Sequence, residues 1–335
     1  MVHSSSKDFP SEAIGSPLPI GGYFSLELPR YMEYHGRAIR LNTGRNALEY
    51  ILRHKSYKRI YLPYYICEVV FEPLRRLGID HVFYHINTDF ELTEDILLGE
   101  DEALLYVNYY GLKQAYIEQL AAHYGSRLIV DNTQAFYDRP IDGIDTFYTC
   151  RKFFGVPDGA YAYTCFDDES VLELDVSYDR MKFLCKRIDI SPEAGYTDFR
   201  QESAELAQQP VRRMSRLTQR LMQSIDYEAA AQRRRANYTV LDQSLSDTNR
   251  LHFPLSDSDV PMIYPYLPFD ENLHDFLISH KIYVAHYWSC VMQWCTDSDI
   301  EYMLASDMVP IPCDQRYDSN DMQHIINLIH QWKSI

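Results

Sequence analysis

No stretch of the 335-residue chain approaches the roughly 18 consecutive apolar residues of a membrane-spanning helix. The opening segment, MVHSSSKDFP, puts Lys7 and Asp8 where a secretory leader needs an apolar run. The seven cysteines (67, 150, 165, 185, 290, 295 and 313) contain no CxxC pair and are odd in number. That argues against a disulfide framework and a zinc site, and suits reduced thiols. The twelve histidines offer no ligand set either: His81 and His85 fall in HVFYH, which has strand character, so their spacing makes no helical metal face. An excess of basic residues is also missing. Asp and Glu number 48 against 32 Lys and Arg, for a formal charge of −16, the reverse of the balance in proteins that grip a phosphate backbone. The expectation is a soluble cytoplasmic protein with no metal, membrane or nucleic-acid partner. GxxxxGK[ST], GxGxxG and GxSxG are absent too, which removes the common nucleotide and hydrolase signatures.

What is present reads as a folded protein: 46% hydrophobic and 24% charged residues, with a length that suggests about two domains. Tyrosine is abundant, 28 against 15 Phe and 3 Trp, and its polar-tipped ring suits wet pockets and subunit interfaces. From 37 to 165 helix and strand patterns alternate. GRNALEYILRHK, ICEVVFEPLRRLG and LKQAYIEQLAAHYG have helical period, and KRIYLP, HVFYHI, ALLYVN, RLIVDN, DTFYTC and AYAYTCF read as strands. This predicts an α/β fold with a mainly parallel central sheet flanked by helices in three layers. Residues 200–245 read as helical. Beyond them MIYPYLPF, KIYVAHYW and MVPIPC are strand candidates, and ENLHDFLISH and DMQHIINLIHQW helix candidates, of a smaller C-terminal α+β domain. The expected division is an arm at 1–36, a large cofactor-binding domain with a helical extension at 37–245, and the small domain at 246–335.

Ligands of open α/β sheets sit at the C-terminal strand ends, so the residues following each strand carry the functional signal. In LNTGRNAL, Thr43 and Gly44 precede a helix whose free amides and dipole suit a phosphate, with Arg45 in support; a plain N-cap role for Thr43 explains the same residues. In RLIVDNTQ, Asp131 follows a buried strand and either binds a cationic atom or caps the next turn. In YTCRKFFGVPDGAYAY, Lys152 lies among Phe153, Phe154 and Val156, surroundings that favour a neutral, imine-forming amine, although most lysines are solvated surface groups. A phosphate cradle, an acidic partner and a partly desolvated lysine at successive strand ends are together what pyridoxal phosphate requires.

With these segments the chain resembles the DegT-type (DegT/StrS) sugar aminotransferases, pyridoxal-phosphate enzymes of the aspartate-aminotransferase fold, fold type I. The resemblance extends from GGYFSLEL at 21–28 through LNTGRNAL, YLPYYICEVVFEPLRRLGI, VNYYGLKQ, VDNTQAF and RKFFGVPDGA to IPCDQRYDSNDM at 311–322. It implies that Lys152, seven residues before Gly159, holds the cofactor covalently and is the catalytic residue. Asp131 then pairs with the pyridine nitrogen, Gln134 contacts the phenolate side, Thr43 and Gly44 bind phosphate, and Thr149 is the hydroxyl residue preceding the lysine. Two positions depart from the family. Cys67 stands where members often stack an aromatic ring on the cofactor, and near VRRMS only Arg213 remains of the Asn-Tyr-Arg segment through which a neighbouring subunit reaches the phosphate. The implied protein is a cytoplasmic homodimer with sites at its interface. It would move an amine from an amino acid such as glutamate to a nucleotide-linked keto sugar, for polysaccharide biosynthesis; the retained lysine argues against the sugar dehydration of relatives that carry His there.

Beside the resemblance, Tyr109 and Tyr110 follow a strand and point toward substrate or into the core, and His286, Tyr287 and Trp288 in VAHYWS are residues that could reach the site from the small domain. Arg233, Arg234 and Arg235 read as a solvated helix face. Residues 180–235 carry 12 basic and 7 acidic groups, a basic belt in an acidic chain that leaves room for a small anionic ligand. Two other readings of the whole stay open: a non-catalytic binding or regulatory protein on the same fold, and a pyridoxal-phosphate enzyme acting on a non-sugar substrate.

Overall fold

The computed structural model describes residues 20–269 and 272–333; residues 1–19 of the expected arm lie outside them. Seven strands form the central sheet: β1 (Ile39–Leu41), β2 (Arg59–Pro63), β3 (Asp80–Tyr84), β4 (Glu102–Val107), β5 (Leu128–Asp131), β6 (Asp145–Thr149) and β7 (Ala160–Tyr163). Their order across the sheet is β1-β7-β6-β5-β4-β2-β3. Strands β2 to β6 pair in parallel. A parallel return needs a crossover of a dozen or more residues, and the link from Cys150 to Gly159 is shorter than that, so β7 runs back antiparallel to β6. β1 is antiparallel to β7 in turn, and so points the same way as the parallel set. The continuous apolar runs of β4 and β5 are buried along almost their whole length, whereas β3 at the sheet edge exposes Asp80 and His81.

The helices are α1 (Gly44–Arg53), α2 (Phe71–Leu77), α3 (Gln114–Tyr124), α4 (Lys182–Asp189), α5 (Pro192–Glu205), α6 (Arg216–Met222), α7 (Tyr227–Leu245), α8 (Leu273–Ser279), α9 (Ile300–Asp307) and α10 (Ser319–Trp332). Thr43 starts α1 by accepting the Asn46 amide on its hydroxyl, and Gly78 stops α2 in the left-handed conformation at φ 68°. Helices α4 and α5 form a hairpin clipped by Lys182 and Lys186, which both pair with Asp198. A Cβ on Gly195 would stand 2.8 Å from the Phe183 carbonyl oxygen, so only glycine lets the two helices approach this closely.

One apolar cluster covers the large sheet. A second joins the later part of α7 (Tyr238, Leu241, Leu245) to α8, α10 and a two-stranded antiparallel sheet of β8 (Ile263–Tyr266) and β9 (Val309–Pro312). KIYVAHYW, expected as a strand, is not one. Its alternation is used instead to drive Trp288 against Tyr65, with ring centres 4.9 Å apart, and the Tyr287 carbonyl accepts the Tyr65 hydroxyl at 3.2 Å. No helix among the described residues is long and apolar enough to cross a membrane.

Candidate active site

Because β1, β2, β4, β5 and β6 point the same way, the residues that follow them share one sheet edge. Thr43, Cys67, Tyr109, Asp131 and Lys152 all arrive there, although 109 residues separate the first from the last. The register sets neighbours: Val107 is opposite Asp131, and Asp131 opposite Phe147.

Lys152 is half-buried, and its Nζ donates to Thr133 Oγ1 at 3.0 Å. Thr133 also gives its backbone amide to Asp131 Oδ1 at 2.8 Å. Asp131 is buried; desolvation pushes its carboxyl upward, while the nearby Lys152 cation and the Thr133 hydrogen bonds pull it down. Cys67 belongs to the same electrostatic neighbourhood, its thiol raised by burial and opposed by Lys152.

On the far side of Thr133 is the start of α1. A Cβ built on Gly44 would sit 3.5 Å from both Thr133 Cγ2 and Thr149 Cβ, so the first turn of α1 faces the lysine's partner directly. Thr43 Oγ1 takes the Asn46 amide at 3.2 Å and the Thr43 carbonyl takes that of Ala47 at 2.9 Å. That leaves the Gly44 and Arg45 amides at the positive end of the helix, an arrangement suited to an oxyanion. Gln134 completes the edge. Its Oε1 accepts the Tyr110 amide at 3.3 Å, holding Tyr110 in a left-handed conformation, while its Nε2 is buried without a hydrogen-bond partner. A buried donor left unpaired is costly and points to a group the chain itself does not supply.

The lysine turn is braced at both ends. Asp158 is buried and held by Arg180 at 2.7 Å and by the Thr218 hydroxyl. Gly159, at φ 106°, leaves no room for a side chain, since a Cβ would meet Thr218 Cγ2 at 2.8 Å and Cys150 Sγ at 3.0 Å. At the other end the Phe153 carbonyl accepts Gln315 Nε2 at 2.8 Å and Arg234 at 3.3 Å. Arg234 is buried rather than solvated. Its guanidinium also reaches Gln315 Oε1, the Pro261 and Met262 carbonyls and the face of the Phe153 ring. A cavity of about 440 Å³ opens from Lys152 toward Tyr287, Arg151, Arg187 and the α4–α5 hairpin.

Not every expected residue turns toward this edge. The Arg45 side chain pairs with Glu72 at 2.6 Å and lines a separate open groove of about 1200 Å³, so only its amide faces the site. Thr149 turns its hydroxyl to the Gly159 carbonyl at 3.4 Å. Tyr109 is packed in the core with its hydroxyl on the Tyr65 carbonyl at 2.8 Å, and the buried Tyr110 hydroxyl meets that of Tyr65 at 3.0 Å. Arg213 bridges Leu41 and Leu174 through its backbone and donates Nε to the Leu172 carbonyl at 3.0 Å. Three residues here escape sequence reasoning. Thr133 is flanked by named site residues in DNTQ, and Arg151 adjoins Lys152. Arg234 falls on the buried stripe Ala230–Arg234–Asn237–Leu241–Leu245 of α7, a helical spacing that separates it from its two arginine neighbours. Among the described residues no group of three or more His, Cys, Asp or Glu is placed to hold a metal ion.

No family model matches the sequence, and no curated protein matches it. Solved structures do match. A DegT/DnrJ/EryC1/StrS aminotransferase from Brucella abortus superposes over 88% of this chain and 85% of its own, at 14% identity and a TM-score of 0.56. A sugar aminotransferase from Micromonospora echinospora gives 88% and 87%, 16% identity and 0.53. The E. coli GDP-4-keto-6-deoxy-D-mannose-3-dehydratase with bound hydrated PLP gives 87% of each chain, 15% identity and 0.59. At these identities what is held in common is the backbone: the chain has the fold of the DegT/DnrJ/EryC1/StrS aminotransferases and of that dehydratase.

Proposed function

We propose that the protein is a pyridoxal-phosphate-dependent aminotransferase that moves an amine from an amino acid, glutamate in the first instance, to a nucleotide-linked keto sugar. The observation that carries this reading is the Lys152 amine bonded to Thr133, beside the buried Asp131 and the open first turn of α1. The residues present fit the cofactor. The Gly44 and Arg45 amides would take its phosphate, Asp131 would face its ring nitrogen, and the unpaired Gln134 Nε2 would donate to its ring oxygen.

When bound, pyridoxal phosphate supplies an electron sink and carries the amine between the two substrates. Asp131 Oδ2, removed from water, keeps a proton on the heteroatom opposite it, and Thr133 fixes that carboxylate through Oδ1. Lys152 Nζ is the amine placed to form the covalent link and to move the proton at the substrate carbon, steered by Thr133 Oγ1. Cys67, which shares the electrostatic neighbourhood of Lys152 and Asp131, would meet the cofactor ring with a small, polarisable side chain. The fixed turn between Asp158 and Gly159 keeps the amine at a constant height above the sheet edge.

On this reading residues 37–245 bind the cofactor and 246–335 form the smaller domain, in a cytoplasmic homodimer with sites at the interface. Support for the dimer comes from the segment after residue 19, which is extended and leaves Tyr23, Phe24, Leu26 and Met32 exposed. It is tied down by Arg220, which donates to the Leu28 and Pro29 carbonyls, and by the Tyr31 amide on the Gln223 carbonyl. Purified protein given pyridoxal phosphate should turn yellow, lose the colour with glutamate, and transfer labelled nitrogen to a nucleotide keto sugar. Lys152→Ala should abolish the colour-forming covalent link. A protein that takes up no cofactor would overturn the reading, and colour that persists with every amino acid offered would point to the non-catalytic one.

A further inference from the structure

The cavity beside Lys152 carries positive charge that the protein leaves largely unneutralised. Arg151 precedes the lysine and lays its guanidinium against Phe183 of α4 and Phe199 of α5, 5.7 and 5.2 Å from the ring centres. It donates to Ser203 Oγ at 3.2 Å. Asp158 and Glu202 are within its electrostatic reach, but Asp158 is committed to Arg180 and Thr218, and Glu202 keeps a buried oxygen with no hydrogen-bond partner. Among the described residues no carboxylate forms an ion pair with Arg151. Arg187 on α4 lines the same cavity and also a recess of about 190 Å³ that continues from it past Lys281 and His324, and it too makes no ion pair among the described residues. Arg234 adds fixed charge from beneath, its donors spent on carbonyls and Gln315. Arg316 contributes nothing net, because Asp314 holds it at 2.7 and 2.8 Å.

A guanidinium held between two aromatic rings has lost rotamer freedom in advance, and its remaining N–H donors match the two oxygens of a carboxylate or phosphate. Resting on the amine-transfer reading above, we infer that Arg151 is the oxyanion anchor of the cavity in both halves of the cycle. It seats the donor's carboxylate, then an anionic group of the acceptor in the same place. Arg187, further along the cleft, meets only an acceptor long enough to carry a second negative charge into the adjoining recess. Two substrates that use the cavity at Lys152 in turn share whatever anchor stands next to the amine. The recess sets them apart, since Arg187 rewards a second negative charge there, even with Asp321 in the lining and Lys281 drawn to Glu193 at 4.0 Å.

Calorimetric titration of the cofactor-loaded protein with glutarate and with inorganic pyrophosphate tests this. Arg151→Gln should weaken both probes at least about tenfold, the loss expected for a charge-assisted hydrogen bond. Arg187→Gln should weaken pyrophosphate by about tenfold and leave glutarate within about twofold. Arg151→Lys keeps the charge without the fork, and should weaken both probes by about threefold or more even if the Gln variant fails to fold. Wild-type binding of both probes by Arg151→Gln, no binding of either by the wild type, or equal losses of both in Arg187→Gln overturns the assignment. The two readings fail separately. Protein that takes up no cofactor yet binds the probes through Arg151 refutes the aminotransferase and keeps the anchor. Protein that is bleached by glutamate yet indifferent to Arg151→Gln does the reverse.

Discussion

The sheet edge and the cleft wall opposite it are built by different means. At the edge, Asp131 ends a strand and Thr43, Thr133, Gln134 and Lys152 each follow one by a few residues, and a parallel sheet brings them together without further instruction. The wall is assembled from distant pieces: Arg151 from the lysine turn, Phe183 and Phe199 from the hairpin, Arg234 from α7, and Tyr287 and Gln315 from the last part of the chain. Charge follows the same division. The edge sets its cation near a buried carboxylate through Thr133, whereas the wall leaves Arg151 and Arg187 for a ligand. A reacting edge is thus specified by local sequence, and a recognising wall by packing.

That contrast breaks most visibly at Asp131. Asp131→Asn, compared with wild type at equal cofactor occupancy, should slow the bleaching by glutamate by about 10²–10³-fold, the usual cost of removing one preorganised electrostatic partner. Unchanged rates would move the edge's chemistry elsewhere.

Behind the edge, Asp138 accepts Asn108 Nδ2 at 2.6 Å, and burial raises its carboxyl to about 7. Its folded value exceeds the ordinary carboxylate value, so its contribution to stability is complete below about pH 4 and is lost as pH rises through 7. Asp138→Asn should remove that slope, and in chemical denaturation at pH 8 should gain up to about 4 kcal/mol relative to its difference at pH 4.

The wall is tested by Arg234→Leu, which takes the arginine donor from the Pro261 and Met262 carbonyls and from Gln315 Oε1 and should cost about 3 kcal/mol in the same assay. A smaller loss, about 2 kcal/mol, is expected for Gly159→Ala, where the left-handed backbone and the Thr218 contact both resist a methyl group. Least affected should be Arg213→Gln, within about 0.5 kcal/mol of wild type, because among the described residues its side chain makes one hydrogen bond, to the Leu172 carbonyl, and a half-exposed electrostatic contact with Glu169. A large loss there would mean that Arg213 braces the fold.

Much of the fold was legible because its signals are periodic. The sheet strands other than β1 coincide with apolar runs between turn residues, and α1, α3 and α10 with amphipathic repeats. β1 was missed for its brevity, since three residues show no alternation. KIYVAHYW misled because its two buried side chains, Val284 and Trp288, are covered by tertiary contacts in the two apolar clusters, Trp288 against Tyr65, rather than by a neighbouring strand. Arg45 shows the same limit at the site. Its position beside Gly44 favours a phosphate, but Glu72, 27 residues on, captures the side chain.

By itself the sequence determined the parallel α/β sheet, the strand ends that matter, and the order in which Thr43, Asp131 and Lys152 appear at them, because strand, turn and cap preferences act over a few residues. Tertiary structure alone decided that Thr133 would link the lysine to the helix end, that Arg234 would be buried, and which arginines would stay unpaired. Those outcomes depend on which groups from remote segments come within hydrogen-bonding distance, and a linear pattern carries no such information.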